Sequence, residues 1–336
     1  MQAHAIVFPQ VNAVELRPIT LRDPAAGEVL VEVEYTCISP GTECRCLRGG
    51  EPAAQEFPFI PGYSTVGRIS AKGANVALPI GTRVYCRGTA VADGAEIRWG
   101  GQVSHAITSA EAVYPLAEWV DPLEASLAAM AAIAFHGLRL SRPFVGEKVA
   151  VVGLGIIGQL AARLHACAGA HVVASDLSPE RVACAQAAGV EAIVPTGTLQ
   201  DAFAPFFPEG ADIVIDATGA PSVLPEAMTL GITPPWDNAL ATGARFLIQG
   251  SYERDIALPY RTAFERQMTF LTPRDCQPRD LLAILDLLTR RQLAIRDLVS
   301  EVRTPDDAPA AYAALCARGA TLMTVAFDWS KYHVRA

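Results

Sequence analysis

The sequence of 336 residues carries 27 Lys and Arg against 35 Asp and Glu, which gives a formal net charge of −8. This acidic balance argues against general affinity for nucleic acid or anionic membrane, and no apolar run approaches a membrane-spanning length. With 51% hydrophobic residues the chain can bury sizeable cores, and its length predicts two domains. The N-terminus lacks a signal-peptide pattern, so we expect a cytoplasmic protein whose eight cysteines are reduced thiols.

The first 120 residues are predicted to form a compact β-rich domain. Residues 29–35 alternate between apolar and polar side chains, which is typical of a strand with one buried face. Pro-Gly, Lys-Gly and Gly-Gly dipeptides recur through this region and mark frequent turns. Such punctuation favours a barrel-like fold, and an Ala-rich helical segment over residues 121–140 follows it.

Residues 148–176 contain the strongest motif of the sequence. An apolar, β-branched strand leads into Gly153, Gly155 and Gly158 in the spacing G-x-G-x-x-G, and a helix with apolar residues at helical spacing follows. The first glycine permits a tight turn, the second lets a pyrophosphate approach the backbone, and the third lets the helix pack closely on the strand. The motif therefore predicts dinucleotide binding.

Four residues around this turn are predicted to contact the nucleotide. Ile156 and Ile157 open the helix, where free N–H groups and the positive end of the helix dipole would face the phosphates. Asp176 ends the next strand, about 20 residues beyond the glycines, where its carboxylate would bind the ribose hydroxyls. That carboxylate would repel a 2′-phosphate, which favours NAD over NADP, while Arg181 nearby keeps NADP open as the alternative.

Strands and helices alternate over residues 148–251, which predicts a parallel doubly wound sheet with its ligand at the carboxyl ends of the strands. Thr218 follows the buried strand 212–216 and is expected to contact the nucleotide. Helical patterns fill the chain from residue 279, and a final strand over residues 321–329 is expected to return to the first domain.

The order of these segments resembles the medium-chain dehydrogenase/reductase superfamily over nearly the whole chain. Matching stretches are PFIPGYSTVGRI, GTRV, GGQVSHAI and AIAFHGL. The resemblance implies an α/β protein with a Rossmann domain, a doubly wound parallel sheet, over residues 121–274. A β-rich GroES-like barrel catalytic domain would combine residues 1–120 and 275–336. It also implies a homodimer and a small-molecule substrate.

Zinc-type members of this superfamily carry ligands at positions where this sequence has none. Pro40 stands where a loop ligand Cys would be, Tyr63 and Ser64 replace the His and Glu of a Gly-His-Glu turn, and Ala129 or a neighbour replaces a third ligand. A tetrahedral zinc site needs three or four N, S or O ligands. We therefore expect a zinc-independent member with neither catalytic nor structural zinc.

Short motifs also resemble the bacteriochlorophyll-pathway dehydrogenases that oxidise a hydroxyethyl group to acetyl. They are Ser-Pro-Gly-Thr-Glu at residues 39–43, Gln-Pro-Arg-Asp-Leu at 277–281 and Asp-Trp at 328–329. The resemblance implies NAD(H)-dependent interconversion of a secondary alcohol and a ketone, with a hydroxyethyl group on a large ring system as one substrate. Another secondary alcohol or a cyclic ketone is an equal alternative.

Thr42 and Tyr63 are the candidate catalytic residues. Thr42 matches the hydroxyl residue that family members use as first proton relay, and the phenol of Tyr63, with an ordinary pKa of about 10, can donate to a carbonyl. Alternatively, Tyr63 only fills the emptied metal cavity and stacks on the substrate. Glu43 is expected to order the loop through local backbone or Arg45, and His136 to be a packing or capping residue.

Two other functions stay open from the sequence. One is an NADPH-dependent enone or quinone reductase of the same superfamily, against which Asp176 argues. The other is a nucleotide-binding sensor without turnover, against which the pair of Thr42 and Tyr63 argues.

Overall fold

The computed structural model describes residues 1–52, 56–236, 242–317 and 322–333. The chain divides into two compact units, one formed by residues 1–129 and 285–336 and the other by residues 130–284. The sequence placed these divisions at 120/121 and 274/275. Within the described ranges, no helix is long and apolar enough to cross a bilayer.

The strands of the described residues are, in chain order, β1 (Gln2–Val7), β2 (Glu15–Thr20), β3 (Glu28–Cys37), β4 (Phe59–Ile60), β5 (Thr65–Lys72), β6 (Arg83–Cys86), β7 (Glu96–Ile97), β8 (His105–Ser109), β9 (Tyr114–Pro115), β10 (Lys148–Val152), β11 (His171–Ser175), β12 (Glu191–Ile193), β13 (Ile213–Asp216), β14 (Arg245–Ile248), β15 (Thr269–Leu271), β16 (Glu301–Arg303) and β17 (Val325–Asp328).

The α-helices of the same ranges are α1 (Pro40–Leu47), α2 (Pro122–Ala125), α3 (Ala128–Ser141), α4 (Ile156–Cys167), α5 (Pro179–Ala187), α6 (Leu199–Phe203), α7 (Leu224–Ala227), α8 (Tyr260–Glu265), α9 (Pro278–Thr289) and α10 (Ala308–Cys316). Short 3-10 turns lie at Ala110–Ala112, Met228–Leu230, Arg296–Leu298, Pro305–Asp307 and Ser330–Tyr332.

The central unit is built on a six-stranded sheet in the order β12-β11-β10-β13-β14-β15, and every pairing in it is parallel. Its middle strands β10 and β13 are buried and rich in β-branched residues, as expected of a strand covered on both faces. The strand order reverses beside β10, and such switch points are where doubly wound sheets bind ligands. The prediction of a parallel doubly wound sheet is confirmed.

The other unit is β-rich. Its largest sheet runs β16-β17-β3-β5-β6-β9, with β8 also paired to β3. The 10-residue strand β3 is central to this sheet, because β5, β8 and β17 all pair antiparallel to it. The prediction that the last strand returns to the first domain is therefore confirmed, with the strand at Val325–Asp328. Residue 321, where that strand was expected to begin, lies outside the described residues.

Large apolar side chains fill the core of this unit, among them Phe8, Phe59, Tyr312, Phe327 and Trp329. Residues from both ends of the chain thus share one core, and the C-terminal segment is an integral part of the β-rich unit. Burial of this much apolar and aromatic surface is the main force that holds the two separated segments together.

A disulfide joins Cys44 on α1 to Cys316 on α10, across 272 residues of sequence. The expectation that all cysteines are free thiols is therefore wrong for this pair. The error arose because redox state was inferred from the compartment alone, whereas the fold brings the two Cα atoms to 5.5 Å, a normal separation for a disulfide.

Candidate active site

The glycine turn, residues 153–158, links β10 to α4 in the central unit. Gly153 has a φ of +93°, a conformation that side chains rarely adopt, and a Cβ added there would lie 2.9 Å from Thr218 Cγ2. A Cβ on Gly158 would lie 1.8 Å from the Gly153 carbonyl oxygen, so helix and turn touch directly. A Cβ on Gly155 would meet no described atom within 4 Å. The backbone at Gly155 is therefore open to close approach, as a pyrophosphate would require.

Helix α4 begins at Ile156, as predicted, with Gly155 as its N-terminal cap residue. A glycine has no side chain to occupy the first backbone N–H groups of the helix, so those of Ile156 and Ile157 stay available to an anion. The turn therefore fits a dinucleotide on three grounds: the close backbone approach, the open space and the free helix end.

Asp176 closes the turn from the next strand. Its carboxylate accepts hydrogen bonds from the backbone N–H of Leu154, at 2.7 Å, and of Ser178, at 2.9 Å. Arg181 Nη1 lies 3.6 Å from the same carboxylate, and Ser178 caps helix α5 through the Arg181 N–H. The predicted residues Asp176 and Arg181 are thus brought together beside the turn, and their opposite charges are paired.

Thr218 lies at the carboxyl end of β13, against Gly153. Its hydroxyl donates to Asp216 Oδ1 at 2.6 Å and accepts from the Ala220 N–H at 3.1 Å. Tyr252 donates its phenolic hydrogen to the other carboxylate oxygen of Asp216. Asp216 and Tyr252 were missed by the sequence reasoning, although a charged residue that ends a buried strand was a visible signal for the former.

Three hydroxyl side chains of the β-rich unit, Ser39, Thr42 and Tyr63, form what we call the hydroxyl cluster. Tyr63 Oη donates to Ser39 Oγ at 2.5 Å and lies 3.4 Å from Thr42 Oγ1. The prediction placed Thr42 and Tyr63 together, which the geometry shows, but it missed Ser39. The nearest signal was its position two residues before the glycine of the Ser-Pro-Gly-Thr-Glu loop.

Local sequence explains how α1 and the residue before it position two of these side chains. Ser39 is the extended residue before the helix, Pro40 occupies the first helical position with a pre-set φ, and Glu43 supplies an acidic side chain to the first turn. The side chain of Thr42 is half-buried, whereas that of Glu43 beside it is fully buried. The helix therefore presents one hydroxyl towards solvent and anchors itself through the adjacent carboxyl.

Tyr63 is placed by a glycine turn of its own after β4. Gly62 has a φ of +85°, and a Cβ there would lie 2.7 Å from Gln102 Cγ, so that position accepts only glycine without a shift. The Tyr63 carbonyl accepts the phenolic hydrogen of Tyr85 at 2.8 Å. The Tyr63 backbone is thus fixed from both sides, which limits the positions that its phenol can reach.

Glu43 is the buried anchor of α1. Its carboxyl accepts from the Ser39 N–H at 2.7 Å, from Gln102 Nε2 at 3.1 Å and from Tyr312 Oη at 2.5 Å. Burial raises the pKa of the Glu43 carboxyl to about 7. The expected bond to local backbone is confirmed, whereas the alternative partner, Arg45, instead pairs with Glu51 at 2.7 Å.

Of the two roles expected for His136, packing and capping, the structure shows packing, because His136 lies in the interior of α3 and not at its start. It is buried, and its Nδ1 lies 3.0 Å from a carboxylate oxygen of Asp280, which Arg139 also contacts. Asp280 belongs to the Gln-Pro-Arg-Asp-Leu motif and also accepts from the Gln277 N–H at 2.8 Å. The motif thus ties α9 to α3 within the central unit.

The side chains at the former zinc-ligand positions do not fit zinc. Pro40 has no donor atom, Tyr63 Oη is engaged with Ser39, and Ser64 Oγ is buried without a hydrogen-bond partner among the described residues. Zinc prefers thiolate, imidazole and carboxylate ligands. Nowhere in the described ranges do three or more His, Cys, Asp or Glu side chains group so as to hold a metal ion.

Two family models match this chain. The alcohol dehydrogenase GroES-like domain matches residues 25–118, and the zinc-binding dehydrogenase model matches residues 157–288. Among curated proteins, the 2-desacetyl-2-hydroxyethyl bacteriochlorophyllide A dehydrogenase of Cereibacter sphaeroides is 26% identical over 324 residues. That alignment covers 93% of this chain and 94% of the relative.

Solved structures share the fold at low identity. A structure from Sinorhizobium meliloti 1021 that contains NADP superposes with a TM-score of 0.85 at 21% identity, covering 98% of this chain and 99% of the other. A short chain alcohol dehydrogenase from Escherichia coli CFT073, complexed with NADH, gives 0.83 at 20% identity, covering 97% and 99%. These likenesses show that both units have the architecture of known dehydrogenases.

Proposed function

We propose that this chain, which belongs to the medium-chain dehydrogenase/reductase superfamily and is an oxidoreductase, interconverts a secondary alcohol and a ketone with NAD(H) and without zinc. A hydroxyethyl group on a large ring system is one substrate of this kind, as the name of the Cereibacter sphaeroides relative suggests. The central unit would hold the dinucleotide and the β-rich unit would supply the acid and base.

The glycine turn supports the nucleotide half of this proposal. Gly155 leaves room for the pyrophosphate, and the α4 N-terminus offers its first N–H groups. When bound, a nicotinamide cofactor supplies the hydride chemistry, and the protein contributes orientation and hydrogen bonds. Asp176 supports NAD, because a carboxylate would repel a 2′-phosphate, and the charge of Arg181 is already paired with that carboxylate.

The hydroxyl cluster is the observation that carries the catalytic half. Thr42 would donate a hydrogen bond to the substrate oxygen, a bond that strengthens as that oxygen gains negative charge, and Tyr63 Oη would accept one from the substrate hydroxyl. During oxidation the proton would leave the substrate oxygen for Tyr63 Oη as the hydrogen of Tyr63 moves to Ser39 Oγ, and Ser39 would release its own hydrogen to a water molecule. Since the side chains at the former ligand positions do not fit zinc, no step is assigned to a metal.

Single substitutions test the cluster. Tyr63→Phe and Thr42→Val should each lower kcat by about 100-fold or more, the usual contribution of a positioned acid or base, with the Kd for NADH unchanged. Tyr114→Phe removes a phenol of the same unit that lies outside the cluster and should keep full activity. If Tyr63→Phe and Thr42→Val both retain the wild-type rate, the acid–base assignment is wrong.

A panel of secondary alcohols and ketones, assayed with NAD⁺, NADH and NADPH by absorbance, distinguishes this function from the alternatives. Turnover of an alcohol with NAD⁺ supports the proposal. Reduction of enones or quinones with NADPH alone would identify the reductase instead. NADH binding, seen by quenching of tryptophan fluorescence, without turnover of any substrate would identify a sensor.

A further inference from the structure

Trp99 has a backbone conformation that tryptophan rarely adopts. Its φ is +65°, in the left-handed region where a Cβ crowds the backbone and where glycine or asparagine is the usual residue. A bulky residue held in such a conformation destabilises the fold, and such strain persists mostly at functional sites. Packing against the core of its unit therefore does not by itself explain why a tryptophan occupies position 99.

The neighbouring backbone shows why the conformation is imposed. The N–H groups of Arg98 and Gly100, on either side of Trp99, both donate to the Ile60 carbonyl, at 3.1 and 3.3 Å. Because both N–H groups must point at one carbonyl oxygen, the residue between them is held in the left-handed conformation. A glycine at position 99 would satisfy the same bonds without strain, so the backbone alone does not account for the indole.

The indole of Trp99 meets the side chain of Tyr63. The two ring centroids lie 5.9 Å apart at an interplanar angle of 75°, an edge-to-face contact. Tyr63 carries the phenol of the hydroxyl cluster, and Trp99 remains half-buried rather than enclosed. A group attached to the carbon whose oxygen binds Tyr63 would therefore come within reach of the indole.

We propose that Trp99 is a specificity-determining residue whose indole, with the ring of Tyr63, forms an aromatic wall for a planar, unsaturated group next to the carbinol carbon of the substrate. This inference rests on the proposed function and narrows its substrate class from secondary alcohols in general to those that bear an aromatic or conjugated ring. Aromatic rings prefer offset or edge-to-face contact with such a wall, whereas a saturated ring of equal size gains only apolar burial.

Two alcohols of nearly equal size test the proposal: 1-phenylethanol and 1-cyclohexylethanol, each oxidised with NAD⁺. Wild type should favour the phenyl compound in kcat/KM. Trp99→Leu should lower the phenyl-to-cyclohexyl ratio by about 3- to 10-fold, the range of one aromatic contact. Trp99→Phe should restore most of the ratio, and Trp119→Leu, at a tryptophan that is 63% exposed, should leave it unchanged.

The outcomes distinguish a failure of the proposed function from a failure of the aromatic wall. If wild type binds NADH but oxidises neither these two alcohols nor any other alcohol of the panel, the proposed function fails and the inference falls with it. If wild type oxidises both and Trp99→Leu leaves the ratio unchanged, the proposed function stands and the aromatic wall is wrong.

A second pair of variants tests the strain itself. Trp99→Gly and Trp99→Ala both remove the indole, but only alanine keeps a Cβ in the left-handed conformation. Trp99→Gly should therefore have the higher Tm of the two, the reverse of the usual order of these residues, while both lose the preference for the phenyl compound. A higher Tm for Trp99→Ala would show that the conformation on which the inference depends does not exist in solution.

Discussion

The glycine turn and the hydroxyl cluster serve the same proposed reaction but are built in different ways. Apart from Thr218, the turn is made by one stretch of chain, residues 153–181, and its contacts are largely those of the backbone. The cluster combines side chains from α1 and from the turn after β4, and its anchor Glu43 reaches Tyr312, 269 residues away. A nucleotide is recognised by backbone shape, whereas acid–base chemistry without a metal depends on side chains that the whole fold must bring together.

The largest effect is expected from the disulfide. It joins distant parts of the unit that carries the hydroxyl cluster and has no counterpart at the glycine turn. Cys316→Ser should lower the free energy of unfolding by about 2–4 kcal/mol, since it removes the covalent link between α1 and α10. Cys167→Ser, at an exposed cysteine of the central unit that is not part of the disulfide, is the control and should have little effect. Chemical denaturation with and without reductant measures both, and equal stability of wild type and Cys316→Ser would show that the pair is reduced in solution.

Two glycine substitutions test whether the turn is set by backbone shape alone. Gly158→Ala should destabilise the protein by about 1–3 kcal/mol, because its Cβ would overlap the Gly153 carbonyl oxygen. Gly155→Ala should leave the Tm unchanged, since its Cβ meets no described atom within 4 Å. It should nevertheless weaken NADH binding by about tenfold or more, because that Cβ would occupy the space assigned to the pyrophosphate. Wild-type affinity in Gly155→Ala would show that the pyrophosphate lies elsewhere.

The variant Glu43→Gln tests the anchor of the hydroxyl cluster through the pH dependence of stability. Burial raises the pKa of the Glu43 carboxyl from 4.5 to about 7, so the folded protein holds that proton more tightly than the unfolded chain. The corresponding stability is complete below pH 4.5 and is lost as the pH rises to about 7. Relative to Glu43→Gln, wild type should therefore lose stability over this window, by at most about 1.4 kcal/mol per pH unit.

Chemical denaturation of both proteins between pH 5 and 8 measures the difference. Subtracting one curve from the other removes the contribution of His105 and His165, whose burial lowers their pKa to about 4 in both proteins. Parallel curves would contradict the buried, proton-binding state of Glu43.

The difference between local and long-range contacts also decides which features could be predicted from the sequence. The turn was predictable because its contacts are local and glycine spacing records them: Gly153, Gly158 and the helix start at Ile156 are as expected. Ser39, Tyr312 and the Cys44–Cys316 pair could not be found in this way, because their partners are chosen by packing across the chain. The left-handed conformation of Trp99 was equally hidden, since no propensity rule places tryptophan there.

The parallel sheet and the C-terminal return of the chain were predictable for a related reason. A run such as Val149 to Val152 signals a buried strand by itself, and strand–helix alternation constrains how such strands can connect. The hydroxyl cluster shows the limit of this reasoning: Thr42 and Tyr63 were proposed from a resemblance, and only the fold shows the hydrogen bonds that join them to Ser39.

Metal content measured together with turnover tests the central claim most directly, namely that hydroxyl groups serve the substrate oxygen where other dehydrogenases use zinc. Purified protein that oxidises a secondary alcohol with NAD⁺ should contain far less than one zinc per chain by elemental analysis. Its kcat should be unchanged after dialysis against a strong chelator. One zinc per chain, with activity that is lost on chelation and restored by added zinc, would contradict the account.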